Sequence, residues 1–335
     1  MFAQLVARRL AFLVLVLLGV SLITFLLSHV VPADPARLFA GPRASAATVE
    51  QLRHQLGFDL PVWQQYGRYL GGLLHGDFGD SLTSHRPVAD DLRDYLPATI
   101  ELTLAAIAII LVVGVPLGVI SAVWHDSPVD ALGRAISITG VAIPAFWLGL
   151  MAQLVLFDQL GWLPEGQRLD QNTVPPPRVT GLYTVDSLLH GNLALFAQSV
   201  WHILLPAAVL GYGSLAVITR MVRASMLEVL SQDYLRTARS KGLHQWTIVV
   251  RHALRNALLP ATTVMGLQIG LLLGGALLVE EVFSWPGIGR YATQATLASD
   301  YNAIVGVTLV AAAIYVVVNL GVDLLYMVLD PRVSL

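Results

Sequence analysis

The stretch from Asp233 to Pro260 reads DYLRTARSKGLHQWTIVVRHALRNALLP and lies between two long apolar runs. It is too polar to cross a bilayer. Good helix formers with basic side chains run from Tyr234 to Lys241, and Gly242 then offers a left-handed stop, so a short surface helix ending in a turn is predicted. A second amphipathic segment is predicted from about His244 to Asn256. Pro260 suits the first turn of the next membrane helix.

The composition of the whole chain is that of a membrane protein. The chain has 335 residues, 56% of them hydrophobic and only 13% charged, whereas soluble proteins have roughly 45–50% apolar and about 25% charged residues. Six apolar spans approach the roughly 20 residues that a bilayer core of about 30 Å requires. They lie near residues 10–31, 98–123, 134–157, 203–227, 258–281 and 302–328. An all-α integral membrane protein with six transmembrane helices is predicted.

The basic residues are distributed unevenly between the two sides of the predicted membrane. An even number of spans places both termini on one side, and the segments of that side hold eleven of the 20 basic residues. These are Arg8, Arg9, Arg134, Arg220, Arg223, Arg236, Arg239, Lys241, Arg251, Arg255 and Arg332. The excess of positive charge predicts that both termini and the 233–256 stretch are cytoplasmic. An ordinary cytoplasmic loop, whose arginines only fix the orientation, is the alternative interpretation of this stretch.

The order of residues in this stretch is more specific than its charge. Asp-Tyr-Leu-Arg-Thr-Ala-Arg-Ser-Lys-Gly-Leu at 233–243 is followed by His252, Ala253, Arg255, Asn256, Ala257 and Pro260. This pattern resembles the cytoplasmic coupling loop of ABC-importer permeases, in the version found in dipeptide and oligopeptide permeases. Ala238 and Gly242 agree with the general importer consensus, whereas Arg236 and Thr237 depart from it.

The resemblance to peptide permeases covers nearly the whole chain. Matching motifs are Pro32-Ala33-Asp34-Pro35, Leu56-Gly57-Phe58-Asp59, Gly76-Asp77-Phe78-Gly79, Leu96-Pro97-Ala98-Thr99-Ile100-Glu101-Leu102 and Phe283-Ser284-Trp285-Pro286-Gly287. The resemblance implies the type I ABC importer permease fold, with a large external segment between helices 1 and 2. Residues 1–97 would form the first membrane helix and an external cap, and residues 98–335 a five-helix permease core.

The family also implies partners and a coupling site. The chain would lie in a bacterial cytoplasmic (inner) membrane beside a homologous second permease subunit, two cytoplasmic ABC ATPase subunits and an external peptide-binding protein, with no nucleic acid. The ATPase-coupling residues would be Asp233, Tyr234, Arg236, Thr237, Ala238, Arg239, Lys241 and Gly242. The cargo would be dipeptides or oligopeptides, with glutathione, a nickel complex or haem as alternatives.

ATP binding is not expected in this chain. Nucleotide hydrolysis needs a glycine-rich loop that ends in Gly-Lys-Ser/Thr, and the only lysine, Lys241, has no such loop around it. ATP and Mg would therefore belong to the partner subunits, and no cofactor is expected here. No catalytic residue is predicted. No metal site is predicted either, because cysteine is absent and the aspartates at 77–94 lack the spacing of a calcium loop.

Two other classes of protein compete with this interpretation. An intramembrane hydrolase could use Ser214 of Gly211-Tyr212-Gly213-Ser214, but such a serine needs a base within hydrogen-bond reach. An ion-coupled secondary carrier usually has ionisable groups at mid-membrane, whereas Glu101, Glu280, Glu281 and Asp323 lie near span ends.

The fifth span carries the candidate residues of the translocation path. Gly266, Gly270 and Gly274 recur every fourth residue and form a stripe for close helix packing, within this subunit or against another. Gln268 lies about 200° from Gly266 around a helix of 3.6 residues per turn, so it points away from the stripe. Two interpretations remain open, in which Gln268 lines the path or bonds a neighbouring helix. Two prolines, Pro116 and Pro144, predict bends in spans two and three.

Overall fold

The computed structural model describes residues 2–26, 36–37 and 44–329. These residues form helices joined by loops, and they contain one isolated bridge, Asp80 to Pro87, and no β-strand. The predicted all-α fold is confirmed. The Pro32–Pro35 motif lies outside the described residues.

The helices follow one another along the chain with three π-helical turns. They are α1 (Phe2–Phe25), α2 (Ala46–Leu56), α3 (Val62–Leu74), α4 (Val88–Ile109), α5 (Val115–Val123), α6 (Pro128–Ala142), α7 (Ala145–Ala152), α8 (Tyr183–Leu189), α9 (Leu193–Leu230), α10 (Asp233–Ser240), α11 (Gln245–Thr247), α12 (Leu254–Val282), α13 (Ile288–Leu297) and α14 (Tyr301–Leu329). The π-helical turns are Ile110–Gly114, Gln153–Gln159 and Ile248–Ala253.

Apolar helices occupy the predicted membrane spans. In the described part of the chain, three are long and apolar enough to cross a membrane by themselves: Val88–Val123, Leu193–Leu230 and Tyr301–Val322. Two bent pairs also qualify if each pair is one span, Pro128–Ala142 with Ala145–Gln159 and Val264–Leu272 with Ala276–Val282. The first predicted span holds a shorter apolar helix, Ala11–Phe25. A multi-pass membrane protein is thus supported, and the count of six spans stays a prediction.

The chain divides into two compact units. One comprises Met1–Leu96 and Arg290–Val317, and the other Pro97–Gly289 and Val318–Leu335. The boundary predicted at residue 97 separated an external cap from a membrane core, and that functional division stays a prediction.

In the first unit, α3 packs against α1 through aromatic side chains. The rings of Tyr66 and Tyr69 lie 5.2 and 5.6 Å from the ring of Phe25, centroid to centroid. Their hydroxyl groups share hydrogen bonds with Ser21 (3.0 Å) and Thr24 (3.1 Å). Each phenol thus buries its apolar ring and keeps a partner for its hydroxyl.

In the second unit, α9 is the central element and packs against α5, α6, α7, α8 and α12. Small residues allow the close approaches. A Cβ added to Gly118 would lie 2.7 Å from the Thr219 carbonyl oxygen, and one added to Gly140 would lie 2.5 Å from the Ala216 Cβ. Dense packing of this kind replaces the hydrophobic driving force that helices lack inside lipid.

Prolines bend some helices and not others. The chain breaks between α6 and α7 at Pro144 with an angle of 112°, so the predicted bend is confirmed and sharp. Pro260, however, lies inside α12 and not in its first turn, so that prediction was wrong. Inside a helix, proline removes one backbone hydrogen bond. Ala257, almost one turn before the proline, and Ala261, next to it, are both fully buried, and helix stability in proteins comes mostly from such tertiary packing.

The prolines at 175–177 favour an extended conformation and predict a surface loop for the segment from Asp158 to Ser199. That prediction was wrong in part. The segment contains α8, and Arg168, Leu169 and Asp186 are buried. The Arg168 guanidinium donates to Glu101 Oε2 at 2.6 Å and to the Gly181 carbonyl oxygen at 2.8 Å. The loop is therefore tied to the membrane helix α4 by a buried ion pair.

Candidate functional site

Helix α10 is the short surface helix that the sequence predicts. Its residues are exposed except Leu235, which is fully buried, and Ala238, which is half-buried. Asp233 lies in the first turn and Arg239 in the last, so both charges complement the helix dipole. Leu235 thus anchors a polar helix whose other face is exposed to solvent.

Gly242 ends this helix in the left-handed conformation. Its φ is 75°, and its backbone N–H donates to the Arg239 carbonyl oxygen at 3.0 Å. The next N–H, of Leu243, donates to the Ala238 carbonyl oxygen at 3.4 Å. The predicted stop is confirmed, and the turn redirects the chain toward α11.

A second anchor joins α10 to the start of α12. The Asn256 amide donates to the Tyr234 hydroxyl oxygen at 2.8 Å. Between them, the π-helical turn Ile248–Ala253 buries Ile248, Val249 and Ala253. The predicted amphipathic segment is therefore helical and runs without a break into α12.

The exposed side of this region is cationic. Arg236, Arg239, Lys241, Arg251 and Arg255 are all exposed, and within the described residues no ion pair involves any of them. Their charges face solvent in this chain, and an acidic surface of another chain could pair with them. Whether the eight predicted coupling residues contact an ATPase stays a prediction.

An ion pair with a fully buried carboxylate lies close to the C-terminal end of α9. Arg223 donates to both carboxylate oxygens of Asp130, from Nε at 2.6 Å and from Nη2 at 2.8 Å. Arg134 Nη1 lies 3.3 Å from the same carboxylate. The uneven distribution of charge uses Arg134 and Arg223 only as basic residues of one side and contains no information on their pairing with Asp130. Asp130 lies three residues after Ser127, and Ser127 is the residue that caps α6. This capping pattern was the signal in the sequence that Asp130 has a structural role.

The predicted path residue Gln268 bonds to the central helix. Ser214 Oγ donates to Gln268 Oε1 at 2.8 Å, which is the kind of contact that the helix-bonding interpretation requires. Gln268 remains partly exposed in this chain, so a role in the path stays a prediction.

The space around the glycines of the stripe differs from one position to the next. A Cβ added to Gly266 would lie 2.1 Å from Val322 Cγ1, whereas one at Gly274 would meet nothing within 4 Å. Gly270 is buried. Close packing inside this chain thus occurs at Gly266, and packing at Gly274 against another subunit stays a prediction.

Among the described residues, Ser214 is not a nucleophile with a base, and no group of side chains forms a metal site. Ser214 bonds to Gln268 and not to a histidine, so it lacks the base that a nucleophile needs. In the part of the chain that the structure describes, no group of three His, Asp or Glu side chains could hold a metal ion.

Comparison with known proteins identifies the family. A family model described as "Binding-protein-dependent transport system inner membrane component" matches residues 114–335. A second, described as "Binding-prot-dependent transport system membrane comp, N-term", matches residues 1–103. Together they account for both ends of the chain.

Similar proteins have nearly the same length. The chain is 49% identical over 322 residues to the "Probable D,D-dipeptide transport system permease protein DdpB" of Escherichia coli K12, covering 96% of this chain and 95% of that protein. It is 44% identical over 327 residues to the "Dipeptide transport system permease protein DppB" of Alkalihalophilus pseudofirmus, covering 98% of each.

A third relative, the "Glutathione transport system permease protein GsiC" of Escherichia coli O1:K1, is 38% identical over 328 residues, again covering 98% of each chain. All three are permease subunits, which are non-catalytic and rely on ATPase activity in other subunits. With both family models and its helical fold, the chain belongs to the inner membrane components of binding-protein-dependent transport systems, as a multi-pass permease of the type I ABC importer fold.

Proposed function

We propose that this chain is the permease subunit through which an ATP-driven importer takes up dipeptides and oligopeptides delivered by an external binding protein. The relatives at 49% and 44% identity are both named for dipeptide transport, and each alignment covers at least 95% of both chains. The glutathione permease, at 38% identity, makes glutathione the second candidate cargo. Glutathione is itself a small peptide, so both candidates share a backbone amide and terminal charges.

The observation that carries the coupling part of the proposal is the exposed cationic helix α10. The buried side chain of Leu235 holds the helix against the rest of the chain, and the Asn256–Tyr234 hydrogen bond of 2.8 Å joins it to α12. A short helix whose first turn is fixed in this way can move with its neighbours as a rigid body. In the proposal, α10 docks in a groove of the ATPase and transmits nucleotide-driven closure to α9 and α12.

The complete transporter in this proposal contains a homologous second permease subunit, two cytoplasmic ATPase subunits and the binding protein. Both termini of this chain and α10 face the cytoplasm, because the basic residues are concentrated in the segments of that side. ATP and Mg²⁺ belong to the ATPase subunits. The external segment 32–97 contributes to the surface that receives the binding protein, and Trp63, which is 72% exposed, is available for that contact.

The cargo route in the proposal passes the fifth span. Gln268 can both donate to and accept from a peptide backbone, and an amide avoids the cost of placing a charge within the membrane. The exposed Gly274 would pack against the second permease subunit. A neutral, amide-lined route suits cargo whose side chains vary.

Reconstitution tests the proposed function directly. The four-subunit transporter, in proteoliposomes with ATP inside, is expected to accumulate a radiolabelled dipeptide only when the loaded binding protein is outside. Unlabelled dipeptide is expected to compete more strongly than glutathione.

Two controls define the result. Omission of ATP, or of this chain, is expected to abolish uptake. Uptake of glutathione with no uptake of dipeptides would reject the dipeptide cargo in favour of the second candidate, and ATP-independent uptake would reject the importer.

A further inference from the structure

An open cavity of about 650 Å³ lies in the second unit, at the end of the helix bundle opposite α10. The end of the π-helical turn 153–159, the start of α9 and the end of α12 meet there, and the loop 161–171 forms one wall. Pockets of roughly 300–1,000 Å³ hold small ligands, so a short peptide would fit. With α10 in the cytoplasm, the cavity faces the outside.

The lining of this cavity is acidic. Glu165 and Asp170 contribute exposed carboxylates, and no lysine or arginine is among the lining residues. The neighbouring Arg168 points elsewhere, since its guanidinium is bound to Glu101 at 2.6 Å. The net charge of the lining is therefore negative, and the cavity favours a cationic group.

His202 positions one of the two carboxylates. The imidazole is buried, with Nδ1 2.9 Å from the Gly166 carbonyl oxygen and Nε2 3.1 Å from Asp170 Oδ1. Gln198 also donates to Asp170, through its side-chain amide. Both ring nitrogens of His202 thus face acceptors. Even a doubly protonated ring, with one positive charge, would balance only Asp170, and the negative charge of Glu165 would remain.

The wall that carries Glu165 is fixed to the end of α12. The Gln153 amide donates to the carbonyl oxygens of Glu165 at 2.7 Å and Val282 at 3.1 Å. The Gln167 N–H donates to the Phe283 carbonyl oxygen at 2.9 Å. Gln167 has a φ of 58°, in the left-handed region where residues other than glycine are strained, and such strain tends to persist where the surroundings hold it in place. The cavity is therefore a preformed feature of the fold.

Aromatic and amide side chains complete the lining. Trp201 is half exposed and shares the cavity with Phe157, and the exposed Gln171 adds an amide. This combination of carboxylates, amides and aromatic faces matches an ammonium group attached to a peptide backbone. A cation can also approach the face of an indole ring.

We propose that this cavity binds the α-ammonium end of a short peptide on the outer face of the membrane, with Glu165 and Asp170 as the charged partners. The proposal rests on the proposed function, because it names the chemical group by which the same cargo is held before it enters the membrane.

Binding of two matched probes tests the site. The complete transporter in lipid nanodiscs, without binding protein, is titrated with L-alanyl-L-alanine and with its N-acetyl derivative, and saturation-transfer difference NMR reports binding. The free amine is expected to bind about tenfold more tightly or better, since a hydrogen bond to a charged group is lost on acetylation. Glu165→Gln is expected to weaken dialanine binding by a similar factor and to reduce the preference. This variant keeps the side-chain shape and leaves the His202 contacts intact.

The control is Asp158→Asn, which removes an exposed carboxylate at the end of the preceding π-helical turn and outside the cavity lining. It is expected to bind both probes as the wild type does. Equal affinities for the two probes, or an unchanged preference in Glu165→Gln, would overturn the proposal. Weaker capture of the binding protein by Glu165→Gln, with dialanine binding unchanged, would also overturn it and identify a protein docking surface. Failure of the wild type to take up any peptide would instead reject the proposed function.

Discussion

Substitution of Gly242 by valine tests the coupling role of α10 most sharply. Gly242 has a φ of 75°, and a Cβ added there would meet nothing within 4 Å. The added Cβ therefore collides with no neighbour, and the cost assigned here is that of holding an L-residue in the left-handed region, about 1–2 kcal/mol. Valine is disfavoured further because its β-branch restricts the backbone.

The cost falls on the turn that ends α10. To relieve it, the backbone must give up the hydrogen bonds from Gly242 to Arg239 (3.0 Å) and from Leu243 to Ala238 (3.4 Å). A change of about 1–2 kcal/mol shifts an equilibrium by roughly 5–30-fold. We expect the ATPase concentration that half-saturates binding to the permease to rise by that factor, and peptide-stimulated ATP hydrolysis to fall at subsaturating ATPase.

Two further substitutions separate strain from size. Asparagine tolerates the left-handed conformation better than alanine does, although it is larger. We therefore expect the order Gly, Asn, Ala, Val from strongest to weakest coupling. Normal ATPase binding and hydrolysis in Gly242→Val would refute the role of α10. Stronger coupling in Gly242→Ala than in Gly242→Asn would refute the explanation by strain in the left-handed backbone.

Three other outcomes are expected. Uptake in proteoliposomes with constant ATP should survive an added uncoupler, because no carboxylate or histidine lies at the middle of a predicted span to carry a coupled proton; inhibition would favour a proton-coupled carrier. Glu101→Gln leaves the buried charge of Arg168 unpaired and should cost about 3–5 kcal/mol of stability, seen as a lower thermal unfolding temperature. The double variant Glu101→Leu/Arg168→Met has no unpaired charge and should recover part of this loss, but not the two hydrogen bonds that Thr184 donates to Glu101. Burial raises the pKa of the Asp186 carboxyl, but bonds from the Thr180 hydroxyl and the amides of residues 179–181 outweigh it and leave the pKa below its usual value. The stabilisation of this turn is therefore present above the ordinary aspartate pKa of about 3.9 and lost as the pH falls through the lower folded value. The hydrogen-exchange protection factors of the turn amides, which are corrected for the intrinsic pH dependence of exchange, should fall only there.

Gln268 offers a labelling experiment in a chain without native cysteine. Gln268→Cys should react with a water-soluble thiol reagent in at least one nucleotide state if the side chain lines the path. Gly274→Cys serves as a comparison at an exposed position about 120° further around the helix, and protection at 268 in every state would favour the helix-bonding role seen with Ser214.

The sequence by itself determined the features that depend on neighbouring residues. Apolar runs of membrane length predicted the membrane helices, because transfer into lipid is decided within each span. The stop at Gly242 was predicted for a similar reason, since the left-handed preference of glycine needs no distant partner. The break at Pro144 also follows from one local residue. At Pro260 the same reasoning failed, because the packing of Ala257 and Ala261 holds the helix together across the proline.

Only the tertiary structure decided which charged residues meet. Asp130 and Arg223 are 93 residues apart in sequence, and Glu101 and Arg168 are 67 apart, so no spacing pattern links them. The segment 158–199 reads as an exposed loop because of its prolines at 175–177, yet the ion pair buries Arg168 within it. The acidic cavity likewise combines residues of α9, α12 and this loop. Such pairings depend on how helices pack across long separations in the chain, and a pattern confined to neighbouring residues does not contain that information.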